Sequence, residues 1–235
     1  MNDFAKRSRT ARRSRPLRLL VSCEHGGNRV PARYVALFSG AADVLDSHRG
    51  LDYGALELAR AFGRELGVEP FTATTSRLVV DLNRSPHHRN VLSQYTRRLS
   101  REQRARTMTA HYWPYRNAVD GYVDRAVADG ESVLHGEVRN CDIAFLYDPA
   151  RRAEVRFIAA WSAALRAAAP ALAQRRNYPY RGTSDALVTH LRRRHGDRRY
   201  AGVELEVNQK HFGSRGWRAL VEVLATTLAT AVAAI

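Results

Sequence analysis

Short apolar runs alternate along this chain with longer helical segments, and most of the runs end in polar, glycine-punctuated turns. That alternation predicts an α/β fold, a three-layer α/β/α sandwich with helices on both faces of a mostly parallel or mixed sheet. Strands are expected at Leu17 to Ser22, Glu69 to Ser76, Val79 to Leu82, Ser132 to His135, Cys141 to Tyr147 and Ala201 to Gln209. Helices are expected at Ala55 to Leu66, Arg101 to Ala128 with a kink or break at Pro114, and Ala153 to Ala169 stopped by Pro170. Further helices are expected at Ala171 to Gln174, at Asp185 to Arg194 behind a Thr183 or Ser184 cap, and at Trp217 to Ala233.

Length and charge bound the rest. The 235 residues suffice for one large domain, expected over residues 17–235, behind a basic tail over residues 1–16 that cannot bury a core and reads as disordered. The net charge of +15 would suit a nucleic-acid binder. Part of it sits in that tail, and the other clusters, such as Arg97-Arg98 and Arg192 to Arg194, are scattered without a reading helix or an aromatic RNA-binding motif. No specific nucleic-acid partner is therefore expected. No apolar run approaches the length that crosses a bilayer, so no membrane partner is expected either. Cys23 and Cys141 lack metal-site spacing and suggest no disulfide framework, which makes a reducing cytoplasm the default location.

Polar residues gather where the strands end. Asp81, Asn83 and Arg84 follow the apolar run Val79-Val80, where an arginine fork and an amide suit a carboxylate and the aspartate can hold the guanidinium. Glu24 and His25 precede the Gly26-Gly27 pair at the end of the first strand. Asp52 either caps the helix that follows it or gives an oxygen to a metal, with His48 a possible nitrogen ligand. Glu204 and Glu206 share one face of an apolar strand, a costly arrangement without nearby cations or protons. In such a sheet His25, Asp81 to Arg84, His135 and Glu204 would converge on one edge.

The ordered set of motifs resembles the N-formylglutamate amidohydrolase family. It comprises Glu24 to Pro31, Ser47 to Gly50 through Gly54-Ala55, Val80 to Pro86, His111 through Arg116, Leu146 to Pro149 and Gly202 to Gln209. The family is distantly similar to zinc carboxypeptidases, whose Asp-x-Asn-Arg motif grips a substrate carboxylate and whose late Glu is the general base. The resemblance implies a phosphorylase/hydrolase-like fold and a metal-dependent hydrolase acting on the amide of a small N-formyl or N-acyl amino acid. It implies zinc or another divalent ion, held by His25 first. The base is expected at Glu204, with Glu206 in reserve. Asn83 and Arg84, with Asp81 orienting Arg84, would bind the substrate carboxylate, and Arg116 or Arg181 would add an anion contact or steady the oxyanion.

The chain departs from the family in one segment. Members carry a second His after the strand matching Ser132 to His135, in a segment like Val-His-Ser-Phe-Thr-Pro, whereas here Gly136 follows His135 directly. His135 is the replacement expected, with Asp52 or His48 completing the ligand set. The carboxypeptidase Glu three residues after the first His corresponds to Asn28. The alternative function is a catalytically weak or inactive member that binds a small carboxylate ligand.

Overall fold

A computed structural model describes residues 15–139 and 143–235 of the chain. The expected basic tail falls almost wholly outside the described residues, as does Cys141. Among the described residues six strands form one mixed sheet: β1 (Leu17–Cys23), β2 (Phe71–Thr72), β3 (Ser132–Arg139), β4 (Ala144–Leu146), β5 (Arg175–Arg176) and β6 (Tyr200–Glu206). Their order is β2-β1-β3-β6-β4-β5. Neighbours pair in parallel except β4 and β6, which run antiparallel. The helices are α1 (Ala42–Leu45), α2 (Ala55–Leu66), α3 (Arg101–Thr107), α4 (Trp113–Ala128), α5 (Arg152–Ala168), α6 (Leu187–Arg194) and α7 (Trp217–Ala233).

Strand alternation sorts the core into two layers. Val21 and Cys23 of β1, Leu134 of β3 and Val203 and Leu205 of β6 face α2, α5 and α7, where Phe62, Phe157, Trp161 and Leu224 fill the space. Leu20, Val133 and Tyr200 point the other way and meet Val119 and Val123 of α4 and Leu187 and Leu191 of α6. Every residue of β6 is buried, as a central strand covered on both faces requires. The β1-to-β2 connection carries α2 on one face and the β2-to-β3 connection carries α4 on the other. The winding therefore reverses beside β1, the kind of switch point where an open α/β sheet leaves a crevice for a ligand.

The sandwich, the mixed sheet, α2 and α7 match expectation, and other elements differ for local reasons. Val79 to Leu82 is buried but is not a strand. Its backbone is held by other means: Asp81 N–H donates to the Val91 carbonyl at 2.8 Å, the Thr96 hydroxyl to Val79 O at 3.0 Å and Arg116 to Leu82 O at 3.1 Å. The strand expected over Glu69 to Ser76 shrinks to Phe71–Thr72. Ala171 to Gln174 forms no helix, because so short a segment gains too few hydrogen bonds to offset nucleation. The break expected at Pro114 becomes a π-helical turn over Met108–Tyr112 between α3 and α4, which accommodates the missing N–H. No described helix is long and apolar enough to cross a membrane.

Candidate active site

A cavity of about 460 Å³ opens at the C-terminal end of β6. Its wall is made by Glu204 and Glu206, by Asp52 and His48 from the loop before α2, by Arg77 and Arg84 around the Val79 to Leu82 segment, and by Arg181 and Asp185 before α6. The side chains of Glu204 and Glu206 lie on one face, as their spacing demands, and both are at most 2% exposed. Three arginines and several carboxylates thus share one cavity, in which the two glutamates are buried.

Beside the cavity runs a closed ring of alternating charge. His25 approaches Asp52 through Nδ1 at 3.1 Å and Asp81 through Nε2 at 2.8 Å. Arg77 meets the other oxygens of the same two carboxylates, Asp81 at 3.0 Å and Asp52 at 3.5 Å. Burial and the Arg77 guanidinium oppose a charge on the His25 ring, yet Asp81 and Asp52 outweigh them and raise its pKa above the ordinary value. Backbone contacts fix the ring's geometry. Asp52 N–H donates to His25 O at 3.0 Å, and the turn after His25 lies so close to a neighbouring segment that a Cβ on Gly27 would sit 2.8 Å from Thr74 O. Glu24 is buried as well and accepts a 2.7 Å hydrogen bond from the Tyr115 hydroxyl.

The expected site residues divide into those that meet here and those that do not. Glu204, Arg84, Arg181 and Asp52 line the cavity, while His25 and Asp81 form the ring beside it. Asp81 lies 3.9 Å from Arg84 Nε, and Arg84 also donates to the Asp185 carbonyl at 3.1 Å. Asn83 is fully buried and does not line the cavity; its Oδ1 accepts from the first amide of α6, which takes the place of the expected Thr183 or Ser184 cap. Arg116 is 3% exposed and supports the Leu82 and Arg84 carbonyls at 3.1 and 3.2 Å. It lies over the ring of Tyr112, whose phenol burial pushes up to about 12 while Arg116 opposes the shift. Arg116 therefore builds the segment that carries Arg84 rather than the cavity wall.

His135 departs furthest. It lies within β3, opposite Gly202 of β6, and both ring nitrogens are engaged, by Ser22 Oγ at 2.6 Å and the Tyr200 hydroxyl at 2.8 Å. The expected ligand trio of His25, Asp52 and His135 is not brought together. Both ring nitrogens of His25 already face carboxylates, and among the described residues no group of three His, Cys, Asp or Glu side chains is arranged to hold an ion. Asp52 does not cap α2 with its side chain, because its carboxylate is turned to His25 and Arg77. Arg77 is the residue that sequence reasoning missed. Its position four residues before Asp81 is the one sequence signal for it, and that spacing is common among incidental ion pairs.

Comparison with known proteins bears on the fold and the family. Among curated proteins none matches the chain. The gene product Atu2144 from Agrobacterium tumefaciens shares the fold with a TM-score of 0.76 at 26% identity, over 92% of this chain and 89% of that one. An N-formylglutamate amidohydrolase from Ralstonia eutropha superimposes with a TM-score of 0.70 at 17% identity, over 92% of this chain and 93% of its own. The family pattern described as N-formylglutamate amidohydrolase matches residues 17–212, most of the chain. The chain belongs to the N-formylglutamate amidohydrolase family.

Proposed function

We propose that the chain hydrolyses the amide bond of a small N-formyl or N-acyl amino acid resembling N-formylglutamate, and that the cavity at the end of β6 receives it. The observation that carries this reading is that Arg77, Arg84 and Arg181 share one cavity with the buried carboxylates of Glu204 and Glu206. A planar guanidinium matches a carboxylate in two parallel hydrogen bonds, so Arg84, with Arg181 in the same cavity, binds the amino-acid end. Arg77, oriented by Asp81 at 3.0 Å, faces the charge that develops on the amide oxygen.

Glu204 then takes a proton from water as its oxygen attacks the acyl carbon. It returns that proton to the leaving nitrogen as the C–N bond breaks, giving a carboxylic acid and a free amino acid. Glu206, on the same strand face, is the reserve for this role. The family resemblance also implies zinc or another divalent ion. The described residues do not assemble the expected ligands, so the proposed steps run through Glu204 and the arginines. The test is acid release from N-formyl-L-glutamate against its α-carboxamide: turnover of the first and not the second supports the reading, and equal turnover or none refutes it.

A second reading, a family member that binds a small carboxylate without turnover, is favoured by the engagement of His135 with Ser22 and Tyr200. It predicts ligand-induced thermal stabilisation with no product, unaltered by added metal.

A further inference from the structure

Arg192 of α6 and Glu154 of α5 form a buried ion pair outside the cavity, with side chains 6% and 0% exposed. The pair is bidentate, Nε to Oε1 at 2.9 Å and Nη2 to Oε2 at 3.0 Å. Burying two charges is expensive unless their remaining hydrogen-bonding capacity is met, and here it is met by the backbone around the cavity and by Arg151, whose Nε lies 3.2 Å from Glu154 Oε1. Arg192 donates to the Gly182 carbonyl and, at 2.5 Å, to the Gly202 carbonyl. Glu154 accepts from Gly202 N–H at 3.0 Å and Asp148 N–H at 2.8 Å.

These contacts join two walls of one site. Gly202 lies two residues before Glu204 on β6, and Gly182 follows Arg181 in the loop that leads to Asp185. The loop has a second anchor. Asn177 Oδ1 accepts from Tyr147 N–H at 3.1 Å and Gly182 N–H at 2.9 Å, and a Cβ on Gly182 would sit 2.1 Å from Tyr147 N. We propose that the Arg192–Glu154 pair is a strut that fixes the Arg181 loop against β6, and so sets the spacing between the anion-binding rim and the base. Arg192 is thus a positioning residue for substrate recognition. This assignment rests on the cavity being the substrate site, as proposed above.

The test combines hydrogen–deuterium exchange of the full chain with steady-state kinetics on N-formyl-L-glutamate, in wild type, Arg192→Lys and Gly182→Ala. Lysine keeps the charge, but three donors on one nitrogen cannot reproduce the two parallel bonds to Glu154 together with both carbonyl bonds. Alanine at 182 leaves the ion pair intact and displaces the loop directly. Exchange of residues 177–186 should accelerate about tenfold in both variants while α2 and α7 keep wild-type rates. KM should rise about tenfold with kcat within about threefold, the signature of lost substrate positioning. Wild-type exchange of the loop in Arg192→Lys, or acceleration spread evenly over the chain, overturns the strut. Should Arg192→Lys not fold, an unchanged KM in Gly182→Ala overturns it. A wild type without turnover removes the functional reading instead, while the exchange comparison still decides whether the pair anchors the loop.

Discussion

Asn83 Oδ1 accepts a hydrogen bond from the backbone N–H of Leu187 at 2.5 Å, so a residue 104 positions upstream caps the start of α6. The residue next to it, Arg84, lines the cavity, and Asp185, two residues before Leu187, lines the same cavity. Capping and site construction are therefore one interaction. Asn83→Ala should destabilise the protein by about 1–2 kcal/mol, the usual cost of losing a cap, and Asn83→Asp, which keeps an acceptor but buries a charge at a fully buried position, should not recover it near neutral pH. Thermal unfolding of the two variants checks this.

Removing the Arg84 fork should act on substrate binding more than on folding, because its side chain is 29% exposed and it is not the main partner of Asp81. Arg84→Met is expected to raise KM for N-formyl-L-glutamate about 30-fold, roughly 2 kcal/mol of charge-assisted hydrogen bonding, with a wild-type melting temperature. Kinetics alongside calorimetry separate the two effects.

Asp120 on α4 joins His190 at 3.0 Å and Arg194 at 2.9 Å, tying α4 to α6. Burial pushes its carboxyl up, but the His190 hydrogen bond and the charges of His190, Arg116 and Arg194 outweigh this and hold it below the ordinary aspartate value. A folded pKa below the unfolded one stabilises above the unfolded value and is lost as pH falls through the folded value. Asp120→Asn should therefore lower stability near neutral pH, and the difference from wild type should shrink toward zero as the pH falls through the folded-state value, which lies below the ordinary aspartate value. Denaturant melts across that range measure it.

Elements that announce themselves locally were legible in the sequence. The amphipathic period of α2 and α7 and the alternation of β6, which puts Glu204 and Glu206 on one face, required no tertiary information. Val79 to Leu82 has the composition of a strand, but composition does not say where a segment's backbone hydrogen bonds go. Here they go to Val91, Thr96 and Arg116. The same limit explains the site. Asp81 and Arg84 stand out within their motif, whereas Asn83 turns away to cap a distant helix. His135 has the residue type of a ligand and the position of a core side chain, since β3 is extended to Arg139 and places it mid-strand. Arg77 gains its meaning from Asp52, which is distant in sequence.

Metal content tests the ring around His25. With both ring nitrogens facing Asp52 and Asp81 and the other carboxylate oxygens facing Arg77, protein purified without chelator should hold zinc well below one ion per chain. His25→Ala should leave that content unchanged in elemental analysis. Stoichiometric zinc that disappears in His25→Ala would mean that the ring opens to admit an ion.

The most direct test of the proposed chemistry is formate release from N-formyl-L-glutamate by wild type and Glu204→Gln. The wild type should turn the substrate over, and Glu204→Gln should lose at least about 10²-fold in kcat, the scale of general-base catalysis, with the fold intact. Equal rates in the two proteins, or no formate from the wild type, would contradict it.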